Sequence, residues 1–517
     1  MSAVPPRKSP IRITTQTLLA VSSSANVTRR KRTETVPSLW STDDSGPIQK
    51  TVVQIGWAKL TAMKSQDGAL AEGDPRPLPV GTVRTSEIVA ALSRALDVTE
   101  GLPAGHAART CYLAVRLADR MGAAEVIGAD LFYGALLKDL GCSSNAALLV
   151  EIFGADDIEL KRREALTERD HLAMALLTLR TLAGSHEPLP LRLRRLISLA
   201  RGGADRHRIE QLRCERGADV ARRAGFNDAV AEAIFNVHEH WDGLGFPQGR
   251  KGSAIPLASR IVAACAGLDV FRESKGDDAA LAMLRARSGA RYDPAIVDEL
   301  LAACDAGLLR DLAGIELYGE LDRLEPRGSA YLALPDDVDR IASAFADVID
   351  TKSPFTAEHS KRVGDIASQM AQQLSMSHTD VRDVRLSGLL HDIGKLGVPN
   401  TILDKTAALD EEEFAVIRRH PVLSLRILSP IAIFGRVAEI AACHHERLDG
   451  KGYFRGLTGE SLGLSARIVA VADVYEALTA ARPYRAAMFP EEALRVIDRS
   501  TGDHLAAEAV TALRDVL

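Results

Sequence analysis

Seven histidine and aspartate side chains in the C-terminal half of the chain lie in segments that otherwise have the composition of buried helices. They are His359, His391, Asp392, His420, His444, His445 and Asp473. Burying one imidazole without a partner costs on the order of 1 to 3 kcal/mol, so seven such groups in apolar surroundings need a common explanation. A metal centre provides one, because imidazole and carboxylate groups are common metal ligands.

The types of ligand indicate the kind of metal centre. Imidazole and carboxylate ligands without a thiolate suit iron, manganese or zinc. Five histidines and two aspartates are too many for one four-coordinate ion, whereas two ions about 3.5 to 4 Å apart, bridged by an aspartate, would use them all. Such a pair would also activate a water for attack on phosphorus. We therefore predict two divalent ions, with iron or manganese as the preferred metals.

Single members of this set are weak evidence, and the set as a whole carries the prediction. A lone His359 or His420 is more often an ordinary core or surface histidine than a ligand. Two adjacent histidines on a helix, such as His444 and His445, point about 100° apart. Both can serve one cluster only if that cluster lies against the end of their helix.

Composition restricts the classes of protein to which the chain can belong. It has 517 residues, 46% hydrophobic and 26% charged, which is ordinary for a globular protein of two or three domains. A net charge of −5 argues against a polymeric nucleic-acid partner. Six cysteines without a CxxC pair indicate neither a zinc ribbon nor a disulfide framework. With no apolar run long enough to span a membrane, we expect a reduced, cytoplasmic protein.

The chain divides into a tail and a helical part. Residues 1–85 are rich in Ser, Thr, Pro and basic residues, including the run of residues 29–32, and we predict that this segment is mostly disordered. From Thr85 onward apolar residues recur at helical spacing, so we predict an all-α fold. Residues 324–337 contain two prolines and a glycine and are the predicted internal linker.

An internal repeat organises the helical part. The segment GLPAGHAART around His106 resembles SPFTAEHSKRV around His359, and LLKDLG at residues 136–141 resembles LLHDIG at residues 389–394. Both pairs are offset by 253, since 359 − 106 = 253 and 391 − 138 = 253. The later pair HEHWDGLGFP and HERLDGKGYF is offset by 445 − 238 = 207. Two tandem copies of one helical domain are therefore predicted.

The offsets also set the domain boundaries. The fall from 253 to 207 predicts an insertion in the first copy, at about residues 150–205. The first copy then covers residues 86–323 and the second residues 338–517. The duplication is compatible with pseudo-dimeric packing of the two copies and also with a homodimer.

The first copy has lost most of the candidate ligands. The seven equivalent positions are His106, Lys138, Asp139, Arg213, Val237, His238 and Ala266. Two of them carry fixed positive charges that repel a cation and can pair with the aspartate, so we predict neither metal nor catalysis there. Three roles remain open for this copy: a duplicate retained for packing, a regulatory phosphate or nucleotide site, or a protein-docking surface.

Five segments of the second copy resemble the HD-GYP family of HD metal-dependent phosphohydrolases over about residues 338–510. They are TAEHSKRV, LLHDIGKLGVPN, IRRHPVLS, HHERLDGKGYF and RIVAVADVYEALTAARPYR. The resemblance implies a helical domain with two or three metals that hydrolyses a 3′,5′ phosphodiester of cyclic di-GMP to the linear dinucleotide or GMP. It also implies that the seven residues are metal ligands, that Asp392 bridges the metals and that Lys395 meets a substrate phosphate.

Further substrate contacts are expected from Tyr453, Arg482 and Arg485. Two positions depart from the family pattern. Phe355 stands where members with a third metal have glutamate, which favours two metals. Phe454 replaces the proline of Gly-Tyr-Pro, which alters the stiffness of that loop but removes no ligand. A smaller change is Ser424 in place of a glycine.

The leading prediction is thus a metal-dependent phosphodiesterase for a cyclic dinucleotide, with cyclic di-GMP first. Two alternatives stay open: an HD-type hydrolase for another nucleotide phosphoester, and a non-catalytic signalling or protein-docking module. A signalling partner would dock through the GYF loop of residues 452–454 or the GFP loop of residues 245–247.

Overall fold

The computed structural model describes residues 83–167, 203–326, 332–459, 461–481 and 485–517. All of these residues lie within one compact unit, residues 77–517. The predicted disordered segment falls outside the description except for its last three residues. Those three belong to the fold, in a short strand and the first helix.

The first half of the described chain is helical after a two-residue strand, β1 (Val83–Arg84). Its helices are α1 (Thr85–Thr99), α2 (His106–Arg120), α3 (Ala124–Leu137), α4 (Ala146–Phe153), α5 (Asp157–Thr167), α6 (Gly203–Arg223), α7 (Asp228–Phe235), α8 (Leu257–Lys275), α9 (Asp277–Arg287), α10 (Pro294–Asp305), α11 (Leu308–Gly314) and α12 (Leu317–Leu324). A 3₁₀ helix covers Gly252–Ala254. Helices α4 and α5 reach into the predicted insertion, whose residues 168–202 lie outside the description.

The second half repeats this pattern after strand β2 (Leu332–Ala333). Its helices are α13 (Pro335–Asp350), α14 (His359–Gln373), α15 (His378–Leu390), α16 (Asn400–Leu403), α17 (Glu411–Ile417), α18 (His420–Leu428), α19 (Gly435–Ala442), α20 (Leu464–Thr479), α21 (Pro490–Asp498) and α22 (Ala507–Val516). Two 3₁₀ helices cover Ile393–Gly397 and Ala432–Phe434. The prediction of an all-α fold is confirmed.

Capping side chains explain where several helices begin. The side chain of Asn227 accepts a hydrogen bond from the N–H of Val230 at 2.8 Å at the start of α7. The hydroxyl of Ser377 accepts one from the N–H of Asp380 at 3.1 Å at the start of α15. Each satisfies an N–H that the first turn of a helix leaves without an intrahelical acceptor.

Equivalent helices pack alike in the two halves. Helix α2 packs against α3 and α8, and its counterpart α14 packs against α15 and α20. Likewise α3 packs against α7, and α15 against α19. This correspondence supports the tandem duplication inferred from the repeated motifs.

Each copy also packs its first helix against the other copy. Helix α1 lies against α18 and the 3₁₀ helix Ile393–Gly397, and its counterpart α13 lies against α6. Because α6 and α18 hold equivalent positions in the repeat, the exchange is reciprocal. One continuous apolar core accordingly includes side chains of α1, α3, α13 and α15.

Part of the predicted linker, residues 324–337, lies in regular secondary structure. Helix α12 ends at Leu324, β2 pairs antiparallel with β1, and α13 begins at Pro335. The strand pair ties the segment between the copies to the start of the first copy. None of the helices in the described ranges is both long and apolar enough to cross a membrane.

Candidate metal centre

A buried aspartate lies at the middle of the predicted cluster. Asp392 follows the end of α15 and is 1% exposed. Its Oδ2 lies 3.5 Å from Nε2 of His359 and 3.2 Å from Nε2 of His391. Its Oδ1 lies 3.3 Å from Nε2 of His420 and 3.7 Å from Nε2 of His444. Each carboxylate oxygen therefore faces its own pair of imidazoles.

The remaining two members, Asp473 and His445, lie on opposite sides of the Asp392 carboxylate. Oδ1 of Asp473, on α20, lies 3.4 Å from Nε2 of His359, on the Oδ2 side. The ring of His445 lies on the other side, with its centroid 4.0 Å from that of His444 and 5.1 Å from that of His420. The adjacent histidines follow directly after α19, so both reach one cluster at a helix end. The seven side chains are thus brought together.

Main-chain hydrogen bonds orient three of the imidazoles. In His391, His420 and His444 the Nδ1 donates to the main-chain carbonyl three residues earlier, at 2.8, 2.7 and 2.6 Å. A carbonyl accepts only from a protonated nitrogen, so the lone pair of each ring is on Nε2, which faces Asp392. Such bonds to the outer nitrogen are the usual way in which proteins orient metal-binding histidines.

The orientation of His359 depends on a residue that the sequence argument missed. Its Nδ1 contacts Oε2 of Glu476, and Nε of Arg362 donates to Oε1 of the same carboxylate at 2.8 Å. Glu476 lies three residues after Asp473, on the same helix. The signal that could have revealed it is in the repeat, because the first copy has Asp269 at the equivalent position.

The first copy preserves this outer arrangement although four of the seven candidate ligands are replaced. Nδ1 of His106 lies 2.8 Å from Oδ2 of Asp269, and Nε of Arg109 donates to Oδ1 at 2.7 Å. Around Asp139, by contrast, side-chain cations stand at both oxygens. Nζ of Lys138 contacts Oδ2, and a guanidinium nitrogen of Arg213 lies 3.2 Å from Oδ1. The two basic side chains stand where the second copy has His391 and His420.

The second-copy cluster fits divalent cations. Nε2 of His391 and Oδ1 of Asp392 are buried and have no hydrogen-bond partner within the described ranges. Nε2 of His420 lies 3.0 Å from Nε2 of His444. Because both of these atoms carry lone pairs, the contact is repulsive unless a cation or proton lies between them. Buried acceptors that converge without donors are the expected state of a ligand set.

Burial and charge keep the cluster in the protonation states that metals need. Burial lowers the pKa of His420, and burial together with the neighbouring imidazoles lowers that of His444 well below its usual value. Burial lowers the pKa of His445 to about 3. Burial opposes ionisation of Asp392, but the adjacent imidazole of His391 and the ammonium of Lys395 hold its pKa well below the usual range. Neutral imidazoles and ionised carboxylates are the metal-binding forms.

His359 differs from the other imidazoles. Burial lowers its pKa, but hydrogen bonds to Asp392, Asp473 and Glu476 raise it well above the usual value. In the absence of metal this ring therefore carries a proton between carboxylates. A metal ion bound to its Nε2 would replace that proton.

Lys395 reaches the cluster from the 3₁₀ helix that follows it. Its Nζ lies 2.6 Å from Oδ2 of Asp392, and its side chain is 22% exposed. Ser424, at a position where the family pattern has glycine, fixes the start of this helix. Its hydroxyl donates to the carbonyl of His391 at 2.7 Å and accepts from the N–H of Gly394 at 3.0 Å. The serine thus ties the lysine segment to α18.

The GYF loop lies beside the cluster. The ring centroid of Tyr453 is 4.3 Å from that of His445. Glu446 holds the loop, because its carboxylate accepts from the N–H groups of Phe454 and Arg455 at 3.4 and 3.0 Å. Phe454 itself is 37% exposed. A substrate contact by Tyr453 stays a prediction that this position supports.

Of the two arginines predicted to bind substrate, the structure describes Arg485. Arg485 donates from its guanidinium to the carbonyls of Ala477 and Leu478 at 2.5 and 2.7 Å. These carbonyls lie in the last turn of α20, where they have no intrahelical donor, so the arginine serves as a helix cap. Arg482 lies outside the described residues.

Comparison with known proteins identifies the family to which the chain belongs. The family profile described as HD domain matches residues 198–296 and 343–508, one stretch in each copy. The chain belongs to the HD domain family, and it is a metal-dependent phosphohydrolase.

One relative aligns with nearly the whole of its own length. The chain is 39% identical over 440 residues to 3′3′-cGAMP-specific phosphodiesterase 3 of Vibrio cholerae, covering 84% of this chain and 95% of that protein. A crystal structure of a cyclic GMP-AMP-specific phosphodiesterase of V. cholerae matches with a TM-score of 0.59 at 33% identity, over 84% of this chain and 98% of that one. A cyclic di-GMP phosphodiesterase of Thermotoga maritima is 42% identical over 161 residues, 30% of this chain and 43% of that protein.

Proposed function

We propose that the protein is a cyclic-dinucleotide phosphodiesterase whose second copy, residues 338–517, hydrolyses a 3′,5′ phosphodiester bond. The observation that carries the proposal is the position of Asp392, with a pair of imidazole Nε2 atoms facing each of its carboxylate oxygens. This arrangement suits two cations joined by one aspartate. We propose iron or manganese as the metals, both of which suit imidazole and carboxylate ligands without a thiolate.

The two sides of Asp392 define two sets of ligands. His359, His391 and Asp473 would hold one ion, and His420, His444 and His445 the other. When bound, two such ions lower the pKa of a water and neutralise charge on the phosphoryl oxygens.

Lys395 is the protein group best placed to contact the scissile phosphate. Its ammonium is partly exposed and lies beside Asp392, so it can reach a ligand without leaving the cluster. There it would donate to a non-bridging oxygen and stabilise the negative charge that grows during attack. The ring of Tyr453, against His445, would cover the same side of the site and limit the access of bulk water.

The substrate that we propose is 3′3′-cGAMP, with cyclic di-GMP as the second candidate. The relative that aligns over both copies of this chain is named for 3′3′-cGAMP. Relatives named for cyclic di-GMP align over about a third of the chain or less. Either substrate would give a linear dinucleotide or mononucleotides.

The test is a substrate panel with the full chain, purified anaerobically and loaded with Mn²⁺ or Fe²⁺. The panel contains 3′3′-cGAMP, cyclic di-GMP and a set of nucleotide monoesters. We expect cleavage of at least one cyclic dinucleotide, and a loss of at least about 100-fold in kcat/KM for His420→Gln. His378→Gln, which changes an exposed histidine of the same copy, is the matched control.

Three results would overturn the proposal. Cleavage of monoesters alone would favour a different phosphohydrolase. A metal-loaded chain that leaves every compound intact would favour a signalling or docking role, and a His420→Gln variant as active as the control would exclude the cluster as the active site.

A further inference from the structure

A buried aspartate of the first copy contacts the segment that carries Lys395. We call residues 393–400 of the second copy the Lys395 loop. Oδ1 of Asp157, at the start of α5, accepts from the N–H of Asn400 at 2.8 Å. Its Oδ2 lies 3.4 Å from Nζ of Lys352. Asp157, Lys352 and Asn400 are each at most 1% exposed, so this junction between the copies is dry.

Both partners of Asp157 hold the Lys395 loop in place. Nζ of Lys352 donates to the carbonyl of Leu396 at 3.1 Å, and Nδ2 of Asn400 donates to the carbonyl of Lys352 at 2.6 Å. Leu396 is the neighbour of Lys395, whose ammonium lies 2.6 Å from Asp392. Asp157 is therefore connected to the proposed phosphate contact through one side chain and one peptide unit.

Apolar packing from the first copy meets the same loop. A Cβ added at Gly397 would lie 2.8 Å from Cγ1 of Val98, at the end of α1. This distance is too short for two carbon atoms, so the loop approaches α1 as closely as a glycine allows. The loop is thus in contact with the first copy through α1 as well as α5.

The other side of Asp157 is anchored in the first copy. Lys161, one turn later on α5, donates to the carbonyl of Cys142 at 2.6 Å, and its Nζ lies 3.8 Å from Asp157 and 3.6 Å from Glu100. Glu100 in turn pairs with Arg213 at 2.9 Å. The basic residue that replaces a metal ligand in the first copy therefore belongs to the network that holds Asp157.

We propose that Asp157 is a positioning residue for the Lys395 loop, so that the copy without a metal centre completes the active site of the other. Without its carboxylate, the ammonium of Lys352 would lose its ion pair while keeping the carbonyl of Leu396, and the N–H of Asn400 would lose a charged acceptor. The loop would then settle in a different position and carry Lys395 with it. As a statement about catalysis, the proposal rests on the phosphodiesterase activity proposed above.

The experiment compares two variants of the full chain that each remove one ionic contact between the copies. Asp157→Asn is the test. Asp347→Asn is the matched control, because Asp347 of α13 pairs with Arg223 of the first copy at 3.3 Å, while its other ion pair, with Lys361 at 2.6 Å, lies within the second copy. We expect Asp157→Asn to lower kcat/KM by about 10- to 100-fold at unchanged metal content, and the control to stay within about twofold of the parent chain.

A second readout does not need activity. Amide hydrogen exchange in a peptide that covers residues 394–400 should accelerate in Asp157→Asn and not in Asp347→Asn. If the parent chain cleaves no cyclic dinucleotide, the proposed function fails, and this measurement still decides whether Asp157 positions the loop. Unchanged exchange in that peptide together with unchanged kcat/KM would overturn the inference.

The double variant Asp157→Asn, Lys352→Met guards against simple misfolding, because it leaves no uncompensated buried charge. We expect it to fold and to retain both the low kcat/KM and the faster loop exchange, since the contact with Leu396 is absent. Recovery of the parent kcat/KM would show that Asp157 only neutralises Lys352, and would overturn the positioning role.

Discussion

At the scale of single residues, the candidate metal centre consists of ligands and of the groups that orient them. His391, His420 and His444 are oriented by main-chain carbonyls three residues earlier, which any sequence can supply. His359 instead depends on the carboxylate of Glu476, which Arg362 holds from the other side. This imidazole is therefore the one whose orientation a single side-chain substitution can change.

Glu476→Gln should weaken metal binding without removing a ligand. The amide keeps the shape of the carboxylate but loses the charge that makes the His359 ring a stronger donor, so we expect a loss of about 10- to 100-fold in metal affinity. Metal titration of the apo protein measures it. Glu439→Gln, on the exposed side of α19, is the control and should leave the affinity unchanged. Equal affinities in the two variants would show that Glu476 has no role in metal binding.

At the scale of elements, short connections carry the functional side chains and helices hold them in place. The 3₁₀ helix with Lys395 lies between α15 and α16, and Ser424 fixes its first turn. The turn after α19 carries His444 and His445. The loop that follows is supported from behind by main-chain bonds, since the N–H of Leu448 donates to the carbonyl of His504 at 3.3 Å.

Protonation of His504 should make the free energy of unfolding depend on pH. Burial, and then the charge of Arg447, lower its pKa from 6.5 to about 4. The folded state thus binds the proton less readily than the unfolded chain, so stability is complete above pH 6.5 and falls as the pH drops toward 4. Near pH 4 the loss in the free energy of unfolding approaches about 3 kcal/mol.

Denaturant unfolding of the parent chain and of His504→Gln at several pH values measures this effect. The parent chain should lose more stability than the variant between pH 6.5 and 4, and the two should run parallel above pH 7. Parallel curves over the whole range would show that His504 is not responsible.

At the scale of the whole molecule, the two copies share one core. Helices α1 and α13 each pack on the other copy, and side chains from both copies belong to one apolar cluster. The strand pair of β1 and β2 adds a further connection. The first copy, in which four of the seven candidate ligands are replaced, is thus part of the packing that supports the second.

Leu92→Ala in α1 should therefore destabilise both copies together. Leu92 is fully buried in the shared core, and such a truncation costs about 2 to 5 kcal/mol. Calorimetry of the apo protein should show one transition that moves to lower temperature as a unit. Val126→Ala, at a residue 82% exposed, should leave it in place. Two transitions, with only one of them shifted, would mean that the copies unfold independently.

The helices, the duplication and the candidate ligands could be predicted from the sequence, because the patterns that indicate them are local or repeated. Apolar periodicity predicts helices, and the offsets of 253 and 207 predict two copies. The seven histidines and aspartates stand out because polar groups are costly in apolar segments. The pairing of His444 and His445 at a helix end follows from the geometry of a helix alone.

Other features depend on which helices meet, and no local pattern carries that information. From the sequence alone, Glu476 would be taken for an ordinary surface glutamate. Only the packing of α20 against α14 brings its carboxylate to His359. The sequence gives no sign that the guanidinium of Arg485 donates to a carbonyl at the end of α20. Asp157 lies 243 residues from Asn400, and only the packing of one copy on the other makes it the acceptor for a loop beside the candidate metal centre. The seven side chains of the candidate metal centre can thus be identified from the sequence, whereas their support comes from contacts between distant segments, which exist only once the two copies have packed.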